Sequence, residues 1–336
     1  MGLFPSRHTS RIGLDISENA IRLLQLEKNH SQLSVKAAAQ CHLPDEIREE
    51  NRQGYRWYHY CVQTIRRMIR ENGFKGRSVR VSFSFDQLDY ALLQIYTSIG
   101  QDMDQAVCAQ AREQFGFEEH YGTVDYWESG EVGNGSDSCR QFIAFGASDY
   151  ILQNTFLMLE DMHLRCAGIE PMPCALFRSV CHGWPERDFG RSMLIVHIGL
   201  DYSVALTGRG NFMTGIRRVD YGSQDFNDSR PHPFDFLVNP REELVKKIRD
   251  CRDYHQAIFE AELPETLILT GEPVQTGFQE FLQQKTGCSV NFYPFFAGLE
   301  DAKAKTSGGQ DFGASGWAVG LGLCLKDYVS EKMAVG

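Results

Sequence analysis

Residues 11–27 read RIGLDISENAIRLLQLE, and the fold turns on them. Ile12, Leu14 and Ile16 alternate with Gly13 and Asp15, Ser17-Glu18-Asn19 breaks the run, and Ile21, Leu23 and Leu24 begin a second apolar stretch. Successive side chains of a strand point to opposite faces, so this pattern predicts a β-hairpin with a polar turn. Working outward, Gln32–Cys41 (QLSVKAAAQC) predicts a third strand of the same meander. Between Gly54 and Gly73, Tyr55, Tyr58, Cys61, Val62, Ile65, Met68 and Ile69 recur at helical spacing, with Asn72-Gly73 as the stop. Val79–Phe85 (VRVSFSF) alternates strictly and predicts the next strand.

The same order returns later. Residues 192–206 (SMLIVHIGLDYSVAL) predict a buried strand, a tight turn and a return strand, with Phe212–Val219 completing a second meander. Glu242–Ala261 is a long amphipathic helix, Thr266–Thr270 a central strand ending at Gly271, Phe278–Gly287 a helix, and Ala314–Leu325 a closing helix. One α/β unit duplicated within the chain is the economical reading. Residues 86–150 read as an α+β insertion: strands at Leu88–Tyr96, Val124–Glu128 and Gln141–Gly146, and a helix at Asp104–Phe115. The expected organisation is a leader at 1–10, a first lobe from 11–85 and 151–190, the insertion at 86–150, and a second lobe at 191–330.

Composition narrows the function. The chain has 336 residues, 42% hydrophobic and 23% charged, which is ordinary for a globular protein of about two domains. A net charge of −10 lacks the basic footprint of non-specific nucleic-acid binding. The ten cysteines include no Cys-x-x-Cys pair, which disfavours a zinc site and suits free thiols in a reducing compartment. No run reaches the ~18 apolar residues of a membrane span, and no Gly-x-Gly-x-x-Gly follows the first strand as a dehydrogenase requires.

Five stretches, taken in order, resemble the actin-like PilM proteins of type IV pilus assembly, members of the actin/Hsp70 superfamily. Ile12–Arg22 resembles the first phosphate loop. Cys166–Glu170 with Ala175–Arg178 resembles the first connecting helix, and Leu194–Ser203 the second phosphate loop. Leu267–Gly271 with Gly277-Phe278 resembles the adenosine strand and turn, and Gly316–Leu323 the closing helix. The resemblance implies duplicated ribonuclease H-like lobes around a central cleft, with the insertion as a small subdomain. It also implies ATP and Mg²⁺ as cofactors. Gly13, Asp15, Ser17, Arg22, Gly199, Ser203, Gly271 and Gly277 then become candidate nucleotide contacts, Asp15 the candidate Mg²⁺ ligand, and Glu170 a weak candidate for positioning a water.

Departures from the family pattern count against turnover. Ser17 stands where the family has glycine, and Glu18 brings a negative charge to a phosphate turn. His197 stands where the second loop has an acid, although Mg²⁺ prefers oxygen ligands. Glu272 replaces the second glycine of the adenosine motif. For Asp15 two readings stay open, a metal ligand or a turn carboxylate capping backbone N–H groups; for His197 the plainer one is a hydrogen-bonded residue at a strand end.

The resemblance therefore implies a cytoplasmic scaffold subunit of a type IV pilus, or type II secretion-like, assembly machine at the inner face of the membrane. It would dock a peptide of a PilN-like single-span partner, with neither a span of its own nor nucleic acid. Leu88–Tyr96 and Asp104–Phe115 are the suggested groove residues. The alternative is an active Mg-dependent ATPase. A sugar kinase fails because no second, Asp-rich loop offers a convincing catalytic base.

Overall fold

The computed structural model describes residues 8–30, 32–50, 54–96, 102–117, 121–132, 139–184, 190–227, 239–293, 299–300 and 315–328. The expected leader falls largely outside them. The chain forms two compact units: Met1–Gln87 with Tyr150–Gly183 and Pro294–Ser330, and Leu88–Asp149 with Trp184–Tyr293 and Glu331–Gly336.

In chain order the elements begin with β1 (His8–Thr9), β2 (Ile12–Ile16), β3 (Ala20–Asn29), β4 (Gln32–His42), α1 (Asp45–Arg48), α2 (Tyr55–Glu71) and β5 (Ser78–Phe83). Next come β6 (Asp89–Tyr96), α3 (Met103–Phe115), β7 (Thr123–Val132), β8 (Cys139–Ala147), α4 (Asp149–Asp161), β9 (Arg165–Pro171) and α5 (Met172–Gly183). The remainder holds β10 (Ser192–Ile198), β11 (Ser203–Arg209), β12 (Phe212–Val219), α6 (Ser223–Asn227), α7 (Pro240–Phe259), β13 (Thr266–Gly271), α8 (Phe278–Thr286), β14 (Ser289–Phe292), β15 (Leu299–Glu300) and α9 (Ala318–Leu325).

The duplication is plain in the sheets. The first unit orders its strands β4-β3-β2-β5-β9, with β15 beside β4 and β1 also on β3; the second orders β12-β11-β10-β13-β14. In both, three antiparallel strands are followed by two that run parallel to the first strand of the meander.

The central strand β2 is buried along its whole length, so both faces of the sheet must be covered. On one face Leu14, Ile16 and Leu23 pack with Trp57, Cys61 and Ile65 of α2 and with Met158 and Leu159 of α4. On the other lies α9, apolar and buried on every side, against β2, β3 and α5. Glycine permits that approach: a Cβ on Gly13 would sit 2.7 Å from the Gly320 carbonyl oxygen, and one on Gly322 would sit 1.7 Å from that of Ala175.

Two sequence expectations change here. The closing helix belongs to the first unit, so residues 191–330 are not one lobe; an all-apolar helix needs a sheet beneath it and a helix beside it, and β2, β3 and α5 supply them. Cys166–Glu170 is not connecting helix but the parallel edge strand β9, paired with β5 from Ser78↔Arg165 to Phe83↔Pro171, and the helix starts at Met172.

In the second unit, β10 and β13 pack Leu194, Val196, Leu267 and Leu269 against Leu244 and Ile248 of α7 and Phe278 and Leu282 of α8. Asn239 caps α7 by accepting the Arg241 N–H at 2.9 Å, and Pro240 opens its first turn. The inserted residues form an antiparallel sheet, β6-β8-β7, with α3 over Leu93, Ile95, Phe142 and Ala144. Gln141, Ile143 and Phe145 on the alternate positions of β8 are also buried, and Tyr254 of α7 donates its hydroxyl to Gln141 Oε1 at 3.4 Å. The insertion thus shares a compact unit with the second meander.

Candidate functional site

The first hairpin turn is filled by its own charges. Asp15 on β2 faces Arg22 on β3 as a cross-strand pair, with Arg22 Nη1 3.9 Å from Asp15 Oδ2. Ser82 Oγ donates to Asp15 Oδ1 at 2.7 Å. Arg22 also donates to Ser17 Oγ and Gln40 Oε1, each at 3.1 Å. Glu18 folds inward and accepts the Ser84 hydroxyl at 3.2 Å. Asp15, Glu18 and Arg22 are all buried. Gly13, a candidate phosphate contact, is the packing point against α9 already described.

A hydrated Mg²⁺ at Asp15 would compete with the Arg22 guanidinium for the same carboxylate. Among the described residues no three His, Cys, Asp or Glu side chains gather in a metal-holding group. Mg²⁺ keeps several waters and is bound through one or two carboxylates with a substrate phosphate, so an ion here would have to share Asp15 with Arg22.

The second turn is closed by backbone hydrogen bonds together with a buried serine hydroxyl. Gly199 donates its N–H to the Tyr202 carbonyl at 2.8 Å and accepts the Ser223 N–H at 2.9 Å. Ser203, fully buried, donates its hydroxyl to the Tyr221 carbonyl at 2.8 Å. His197 Nδ1 lies 2.9 Å from Thr270 Oγ1, its cross-strand partner on β13, which places a hydrogen-bonded histidine at a strand end. Gly271 has φ +97°, and a Cβ there would meet the Ile198 carbonyl oxygen at 2.0 Å. Gly277, at φ +90°, opens α8 with nothing against it.

Glu170, the weak candidate for positioning a water, is buried and paired. Arg178 grips both its carboxylate oxygens, one at 3.0 Å, and Lys326 Nζ lies 3.7 Å away. Arg178 also donates to the Gly322 carbonyl at 3.0 Å. This buried tie joins β9, α5 and α9, and a carboxylate so paired is a poor water-positioning base.

Sequence reasoning missed a cavity of about 380 Å³ in the first unit, between Ile16 of β2, Val81 and Phe83 of β5, Tyr58 of α2, and Asn154 and Met158 of α4. Tyr55, Tyr150 and Leu157 stand at its edge with 77%, 57% and 56% of their surface exposed. Burial and the 2.6 Å hydrogen bond to Asp161 push the Tyr58 phenol up to about 12, so it stays a neutral donor. The available signal was two tyrosines and a leucine on the solvent side of otherwise amphipathic helices. Of the suggested groove segments, Ala91, Leu93 and Ile95 of β6 pack on Val107 and Ala111 of α3, which leaves the alternate positions of β6 outside that core.

Comparison with solved structures identifies the fold. One chain, from a "PilM-PilN type IV pilus biogenesis complex", superposes at a TM-score of 0.76 with 18% identity, covering 96% of this chain and 99% of that one. The fold is therefore the actin-like fold of PilM. An ethanolamine utilization protein EutJ from Carboxydothermus hydrogenoformans matches at 0.45 with 12% identity, covering 96% of this chain and 92% of its own. The cytoplasmic domain of EpsL, from the type II secretion system of Vibrio cholerae, matches at 0.41 with 13% identity, covering 83% and 94%. Likeness at those two levels carries no inference. No protein-family model matches this chain, and no curated protein sequence does.

Proposed function

We propose that this chain is the actin-like scaffold subunit of a type IV pilus assembly machine, docking a short peptide of a membrane-anchored, PilN-like partner. The observation that carries the reading is the end-to-end match to a PilM chain in a complex with PilN. The apolar cavity of the first unit supports it, because an extended segment can seat side chains between α2 and α4 while pairing its backbone polar groups. Among the described residues no helix is long and apolar enough to cross a membrane, which suits a subunit that reaches the bilayer through a partner. We place it at the inner membrane face. Nucleotide binding is degenerate in this reading: Arg22 occupies the carboxylate that Mg²⁺ would need, and Glu18 lies in the turn.

The test is binding of the N-terminal cytoplasmic peptide of the single-span protein encoded beside this chain, read by fluorescence anisotropy. Leu157→Arg places a charge at the cavity edge on an exposed site and should weaken binding at least tenfold, about 1.4 kcal/mol. Absence of binding, or an undiminished affinity in a folded Leu157→Arg protein, rejects this docking site.

A further inference from the structure

The acidic chain carries one face of opposite sign. Residues 66–77 (RRMIRENGFKGR) hold Arg66, Arg67, Arg70, Lys75 and Arg77 against the single acid Glu71, a local charge of +4 that leaves −14 for the rest of the chain. All five cations are exposed, because the opposite side of α2 carries Ile65, Met68 and Ile69 into the core. Arg165, also exposed, joins them: its amide donates to the Arg77 carbonyl at 2.8 Å, which sets the start of β9 beside the turn. The turn is fixed in place. Gln25 accepts the Lys75 N–H and donates to the Lys75 carbonyl, both at 2.8 Å.

The bland reading is a solvated helix end. Cations favour the last turn of a helix, and that accounts for Arg70, which also meets Glu71 at 3.5 Å in an exposed pair of little worth. It does not account for Lys75, Arg77 and Arg165, which lie beyond the helix. Among the described residues Arg66, Arg67, Lys75, Arg77 and Arg165 enter no ion pair. Unneutralised cations gathered in one place repel one another, and their juxtaposition asks for an external anion.

We infer that this face, formed by the end of α2, the turn at 72–77 and the start of β9, rests on the anionic phospholipid surface of a bilayer. Charge complementarity selects the occupant. A planar anionic surface can meet one basic face while the acidic remainder of the chain stays in solvent. A nucleic acid needs a longer basic track and rings on which to stack, and the aromatic residue of the stretch, Phe74, is buried. Each basic side chain near such a surface strengthens binding about fivefold.

The experiment is co-sedimentation of the full chain, without partner, with vesicles of phosphatidylcholine alone or containing about 30% phosphatidylglycerol, in about 0.1 M salt. Because no peptide partner is present, this result is independent of the docking test above. The expected result is sedimentation with the anionic vesicles only, abolished by raising the salt. Arg66→Gln with Arg67→Gln should weaken it at least tenfold, whereas Lys246→Gln with Lys247→Gln, which removes the same charge from α7, should leave it within twofold. Thermal melts confirm that both variants are folded. The inference is overturned by sedimentation with neither vesicle type, by equal sedimentation with both, or by equal losses in the two variants. Capture of a single-stranded DNA oligomer in place of the vesicles also overturns it.

Discussion

The two hairpin turns occupy the same place in two sheets of one topology, yet they are held by different forces. At the first, Asp15, Glu18 and Arg22 are buried and satisfy one another with Ser17, Ser82, Ser84 and Gln40. At the second, main-chain contacts of Ile198, Gly199, Tyr202, Ser223 and Gly271 close the turn, with the Ser203 hydroxyl beside them and no charged side chain among these residues. A buried ion pair contributes little net stability but costs about 3–5 kcal/mol to break on one side. A close backbone contact at glycine tolerates no added atom. Strand order therefore repeats between the units while turn chemistry does not, and turn chemistry is what a phosphate would meet.

The largest expected effect separates the two directly. Gly271→Ala combines a left-handed φ of +97° with a 2.0 Å clash against backbone, and should cost about 4 kcal/mol of stability in urea denaturation. Gly13→Ala meets the Gly320 carbonyl at 2.7 Å with no positive φ, and should cost about 2 kcal/mol, because α9 can shift slightly. If Gly13→Ala proves the costlier of the two, close backbone packing matters more at the β2–α9 contact of the first unit than at the turn of the second, and the contrast is broken.

A smaller effect sharpens the chemical half of the comparison. Glu18→Ser removes a negative charge from the first turn, and His197→Asp restores an oxygen ligand at the second. Together they should strengthen Mg·ATP binding at least tenfold, about 1.4 kcal/mol, by calorimetry. Micromolar Mg·ATP affinity and hydrolysis by the unmodified protein would favour the ATPase reading.

The strand order was legible because alternation and helical spacing are local signals, and Ile12–Ile16 and Leu194–Ile198 carry them clearly. The place of α9 was not legible: Ala318–Leu325 is apolar on every side, so its sequence names no face, and its partners lie some 140 and 300 residues earlier, at Ala175 and Gly13. β9 was misread because Gly168 and exposed alternate positions blur a short edge strand. The role of Glu170 depends on Arg178 and Lys326, which come from two other elements. The cavity draws on four separate segments, none with a motif of its own.

The last contrast is between the units in acid. In the second unit His255 is fully buried, with Nε2 2.8 Å from Ser192 Oγ and Nδ1 2.7 Å from Thr214 Oγ1. Burial, with the Arg209 charge adding to it, pushes the imidazole down to about 4 from its ordinary 6.5. In the first unit the Asp327 side chain is buried too, but the Arg11 amide and the Arg80 and Arg11 guanidinium groups outweigh burial and hold its carboxyl below 3.8. Both groups bind fewer protons folded than unfolded in acid, so both contributions fall as pH falls, though in different windows. The His255 contribution is intact above 6.5 and drains away towards pH 4, whereas that of Asp327 is intact down to about 3.8. Lowering the pH from 7 to 5.5 should therefore cost the second unit about 1 kcal/mol and the Asp327 tie nothing. Hydrogen exchange at β10 and α7 should accelerate over that interval while exchange at β2 and α9 stays level. His255→Gln, which keeps a neutral polar side chain, should remove the difference. Equal acceleration in both units, or acceleration that survives His255→Gln, would assign the acid sensitivity to another group.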